Sequence, residues 1–181
     1  MKRITFLLII PLLVFGCNKN NNPKTSGEAS LNSERILDEN TQTYSISGFS
    51  FEKGSVILYN PASSQGASIP DFIALPDVQN NVYSAYFDTQ NTLPSFALVG
   101  EFASSGEAQT FFDNYKEVDV NTYTGFAKPV VENQVWVFNT RNDKYAKLLI
   151  VKVNAYLKDT EAFAEVNFKW AYQPDESKVL P

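Results

Sequence analysis

The sequence predicts an all-β fold, mainly antiparallel, with one short helix. Three observations predict it. From Thr43 onward, apolar residues recur in short alternating runs bounded by Pro, Gly and Asn. Aromatic residues make up 14% of the chain, enough large side chains to fill a core. A single segment, Ser104 to Tyr115, carries the helical period instead.

The elements follow in chain order. Met1-Lys2-Arg3 is basic, and Ile4 to Phe15 is apolar apart from Thr5 and Pro11. A helix needs about 20 residues to span a bilayer, so this run is too short and reads as a secretory leader. It ends in Val14-Phe15-Gly16-Cys17, which resembles the lipobox of bacterial lipoproteins. In that class the cysteine becomes the acylated N-terminus, and Cys17 is the only cysteine here. The expected organisation is a signal peptide over 1–16, a flexible tether over 17–42, a domain over 43–176 and a tail over 177–181. The tether is rich in Asn, Ser, Lys and Glu and poor in apolar residues, a composition that does not fold alone. Cleavage would remove Lys2 and Arg3 but no acid, taking the formal charge from −5 to −7. Asn18 after the cysteine carries no retention charge, so an outer-membrane, lipid-anchored location is expected.

In the domain, Tyr44 and Ile46 share one parity while Phe49 and Phe51 share the other, so a bulge is expected at Gly48. "PDFIALP" and "NVYSAYFDT" read as strands bounded by Pro70, Pro76 and Asn80-Asn81. Ser95 to Phe102 is a further strand. Ser104 with Glu107 three residues on forms a capping box, and Ala108, Phe111, Phe112 and Tyr115 make one helical face to pack on a sheet. "NQVWVFNT" and "KYAKLLIVKV" flank Arg141-Asn142-Asp143, a hairpin turn. In the second run Tyr145, Leu149, Val151 and Val153 share one face and Ala146, Leu148 and Ile150 the other. An apolar pattern on both faces places this strand centrally. In "EVNFKWAYQP", Val166, Phe168, Trp170 and Tyr172 point inward, and Pro174 ends the strand.

Composition excludes several functions. The acidic chain, with a pI near 4.8, is repelled by phosphate backbones, so no nucleic-acid partner is expected. There is no histidine. That removes Ser-His-Asp and Cys-His catalysis and imidazole ligation of zinc or haem. No spacing among Asp71, Asp77, Asp88, Glu101, Asp113, Glu117 and Asp119 defines a catalytic carboxylate pair or a calcium loop, so no enzymatic activity is expected.

"FSFEKGSVI", Phe49 to Ile57, together with "QVWVFNTRNDKYAKLLIVKV" and "EVNFKWAYQP", resembles the two ends of HmuY-type haem-binding lipoproteins of Bacteroidota. The C-terminal match includes Ala146-Lys147, Phe168, Tyr172 and Pro174; the middle, roughly 60 to 130, does not match. The resemblance implies a two-layer sheet domain, tethered by lipid, that takes up haem. The family holds iron through paired His or Met, and this chain has no counterpart: it has no histidine, and Met1 lies in the leader. The expected function is therefore non-catalytic binding of haem or another apolar ligand through other residues. The alternative is a structural adaptor that contacts envelope proteins and binds no haem. No metal ligand is carried over. Tyr can ligate haem. Among Tyr83, Tyr86, Tyr115 and Tyr123, the loop-like setting of Tyr123 beside Phe126 makes that pair the candidate ligand contacts. Tyr83 and Tyr86 have opposite strand parity, and Tyr115 belongs to the helix face.

Overall fold

The computed structural model describes residues 24–62, 69–89 and 93–181. The segment expected to be a leader and Cys17 lie outside the described residues. The chain is mainly antiparallel β, in two sheets, with one helix among the described residues. The first sheet has the order β1 (Ser26–Asn32), β11 (Glu161–Gln173), β10 (Tyr145–Lys158), β9 (Gln134–Asn139), β7 (Phe96–Glu101). The second has the order β2 (Arg35–Asp38), β3 (Thr43–Ser50), β5 (Phe72–Gln79), β6 (Val82–Asp88), β8 (Phe126–Val130). β4 (Ser55–Tyr59) lies on the other edge of β3.

Alternation puts every second residue of these strands between the sheets. The predicted inward residues Val166, Phe168, Trp170 and Tyr172 are all buried there, together with Phe49 and Phe51. Phe72 ties the layers together: its ring lies 4.8 Å from Phe87, 5.6 Å from Phe138 and 5.5 Å from Phe168. Each such ring contributes roughly 2–3 kcal/mol through the area it removes from water. Asn80 and Asn81, with φ of 52° and 62°, form the tight β5–β6 turn that side chains other than Asn, Asp and Gly resist.

α1 (Ser105–Asn114) starts as its capping box requires. Ser104 Oγ accepts from the Glu107 N–H at 3.3 Å and donates to Glu107 Oε2 at 2.9 Å. Ala108 and Phe112 pack on Val135, Leu149 and Ala171, covering the outer face of the first sheet.

Five expectations need correction. The segment expected to be tether is strand from Ser26 onward. β1 pairs with β11 along its whole length, and β2 pairs with β3. Its polar look is deceptive because, of its inward positions, only Leu31 is a large apolar residue. Gly27 faces Trp170, Ala29 faces Phe168 and Leu31 faces Val166. The tail also docks: the Val118 N–H donates to Lys178 O at 2.9 Å, the Leu180 N–H to Lys116 O at 2.8 Å, and Leu180 is buried against Val118 and Val137. At Gly48 the β3–β4 register runs without a shift. The glycine is needed because a Cβ there would stand 2.4 Å from Pro70 Cβ. Pro76 lies inside β5, not at its boundary. Finally, the register shifts between Ile150 and Lys152. Val151 is therefore exposed, and Val153 joins the inner face with Ile150 instead of sharing the face of Leu149.

Candidate ligand-binding groove

The residues singled out from sequence do not form one site. Tyr123 packs with Tyr115, Val118, Val120, Tyr145 and Leu180 against Val137, on the outer face of the first sheet. Its phenol oxygen is buried without a partner among the described residues. Burial, then the neighbouring Tyr145, push the phenol up to about 12. This is packing, not a presented ligand. Phe126 of β8 pairs with Asp88 of β6, while its neighbour Ala127 enters the core. Phe126 is therefore on the outer face of the second sheet, where its ring meets Tyr86 at 6.1 Å. Its ring contact is Tyr86 of the second sheet, whereas Tyr123 belongs to the Val137 cluster of the first, so the two are not brought together as one site. Tyr115 donates to Asp119 at 2.8 Å at the C-terminus of α1.

The carboxylates are dispersed as well. Asp77 pairs with Lys128 at 2.9 Å. Asp71 accepts from the Phe51 N–H at 2.7 Å, and burial raises its carboxyl to about 6 against that hydrogen bond and Arg141. Among the described residues no three His, Cys, Asp or Glu side chains converge as a metal site.

Lys147 is buried in the outer face of the first sheet. It donates to the carbonyls of Phe112 at 2.6 Å and Tyr115 at 2.9 Å, and so caps the C-terminus of α1. Burial, then Lys116, lower it to about 8.

A cavity lies elsewhere, where β10 and β11 outrun their neighbours. β9 pairs with β10 no farther than Leu149, and β1 pairs with β11 no farther than Glu165. Beyond these points Ala155 to Lys158 pair with Glu161 to Ala164 as a two-stranded ribbon. The ribbon turns at Asp159, whose φ is 56°. Its base is held by Ser33, whose N–H donates to Ala164 O at 2.9 Å while its Oγ accepts from the Ala164 N–H at 2.9 Å.

Between the ribbon tip and the β2–β3 hairpin lies a cavity of about 470 Å³. A second, of about 210 Å³, is walled by Ile46, Pro61, Ala74 and Leu75. The two share Ser33, Arg35 and Tyr44, so they form one groove with a polar half and an apolar half. Tyr44 is half exposed. Phe163 adds a second ring, braced by Tyr156 at 5.3 Å and by Lys158 Nζ at 5.1 Å. Lys158 also pairs with Glu34 at 3.2 Å.

Arg35 and Tyr44 have the same parity as their cross-strand neighbours Ile46 and Leu37, on the strand face away from Phe49. In sequence they look like solvated positions of a tether and a strand start. The only hint was alternation across "SERILDENTQTYSI", and its short runs were too polar to single out.

Comparison of the chain with protein-family models, with curated proteins and with solved structures found no match. The functional reading rests on the chain's own residues.

Proposed function

We propose that the chain is a lipid-anchored envelope protein with a non-catalytic binding domain. Its ligand has a flat apolar face, haem being the first to test, and occupies the groove beside the β10–β11 ribbon. One observation carries this reading: two adjoining cavities share the half-exposed ring of Tyr44. Their combined size suits a small molecule. Tyr44 replaces Tyr123 as the phenol able to meet a haem iron, with Arg35 beside it. The lipobox-like run ending in Cys17 supports the anchor, since a single cysteine needs no disulfide partner.

Haemin titration of the full acylated chain in detergent tests the ligand. A saturable Soret shift that Tyr44→Phe abolishes and Tyr123→Phe leaves intact would make haem the ligand and place it in the groove. No shift with wild type removes haem. Mass spectrometry of the N-terminal peptide tests the anchor; an unmodified Cys17 would remove it.

A second reading, an adaptor for envelope proteins, is favoured by the ribbon itself, which leaves Tyr156 and Leu157 exposed. A photo-crosslinker in place of Leu157 that captures one discrete envelope partner, with haemin silent, would support it.

A further inference from the structure

We infer that the groove holds a neutral saccharide, with Tyr44 and Phe163 as stacking rings and Arg35, Asp159 and Glu161 as hydrogen-bonding groups for sugar hydroxyls. This inference rests on the reading of the groove as a binding site and names the class of its ligand.

The first support is the set of polar groups left over. Lys158 and Glu34 satisfy each other, and Ser33 is engaged with Ala164. Arg35, Asp159, Thr160 and Glu161 line the same cavity and make no side-chain hydrogen bond or ion pair within the described residues. Carboxylates accept at two oxygens and a guanidinium donates through a planar fork. That geometry matches adjacent hydroxyls on a ring.

The second support is charge. The cavity wall carries two cations, Arg35 and Lys158, against three carboxylates, Glu34, Asp159 and Glu161. One cation is already paired. A ligand with two carboxylates, such as haem, or with phosphates or sulfates would meet net repulsion in a chain whose formal charge is −5. A neutral polyol would not.

The third support is the pairing of aromatic faces with polar groups. Tyr44 is exposed on a β-hairpin and Phe163 is braced from behind by Tyr156. Rigid rings supply apolar area at small entropic cost. A pyranose has an apolar face of C–H groups and a rim of hydroxyls, the complement of such a wall.

Isothermal titration of the full chain in detergent with maltohexaose, cellohexaose and chitohexaose, beside polygalacturonate and haemin, decides this. At least one neutral hexamer should bind, with affinity unchanged between low and high salt. Glu161→Gln and Tyr44→Ala should each weaken it by about tenfold or more, as expected for losing a hydrogen bond to a charged group or a ring contact. Both side chains are exposed, and unchanged melting of the variants will show that the fold is intact. Haemin or polygalacturonate binding with no neutral hexamer bound overturns the saccharide and keeps the groove. No binding by any of the five overturns both. Binding of a hexamer that ignores both substitutions overturns the placement in this groove.

Discussion

The two halves of β10 have similar composition and opposite fates. Tyr145 to Ile150 is flanked by β9 and β11, covered by the aromatic core on one face and by α1 on the other, and Ala146 to Ile150 are buried. Past the register shift at Val151, the strand keeps β11 but has no β9 beside it, and Val151, Tyr156 and Leu157 are exposed. Leu148 and Leu157 are the same residue in the same strand. What differs is whether a neighbouring strand and a second layer reach them. The buried half gives the domain its rigidity, and the bare half becomes one wall of a groove.

Substitutions can break this contrast. Leu148→Ala should cost about 3 kcal/mol, because the cavity lies where both layers are fixed; urea unfolding will measure it. Leu157→Ala should stay within about 0.5 kcal/mol, and a comparable loss at both sites would show that the ribbon is packed in solution.

Lys147 sharpens the contrast through pH. Its folded value, about 8, lies below its ordinary 10.5, so the unfolded chain binds more protons between those values. Stability therefore rises with pH across that window, by an amount on the order of 3 kcal/mol. The half-buried tyrosines Tyr115 and Tyr123 and the buried Tyr172 are shifted upward, so they act in the opposite sense above their ordinary 10. A stability maximum near pH 10 is expected, and Lys147→Met should flatten the rise from pH 7.5 to 9.5. An unchanged slope in that variant would assign the effect elsewhere.

Ser104→Ala should cost about 1 kcal/mol by freeing the Glu107 N–H, read as a shift in the denaturation midpoint. Asp71 acts at the acid end. Its carboxyl is raised, to about 6 from 3.8, so the folded chain holds its proton more tightly, and stability falls as pH rises through that interval. Asp71→Asn keeps the acceptor for the Phe51 N–H and should remove that fall. A midpoint that still drops from pH 4 to 6 in the variant would count against Asp71.

Much of the fold was legible. The clean alternation at Val166, Phe168, Trp170 and Tyr172 assigned the inward face of β11, and Ser104 with Glu107 marked the start of α1. β1 was illegible because the residues it sets opposite Trp170 and Phe168 are Gly27 and Ala29, which carry little apolar signature. The bulge at Val151 was hidden because Leu149, Val151 and Val153 continue the period unbroken in sequence. The site was missed for another reason. Tyr123 looked exposed because its flanks are polar, yet the tail folds back so that Leu180 joins its cluster. Tyr44 looked like an ordinary strand residue, and its significance came from Arg35 and the ribbon tip.

Local chemistry sufficed to specify the β class and the helix with its cap, because each depends on residues near one another along the chain. The groove depends on segments more than a hundred residues apart: Arg35 and Tyr44 from one sheet, Lys158 to Phe163 from the other. Their meeting follows from where β9 and β1 stop pairing, a consequence of long-range register that no short window of sequence contains.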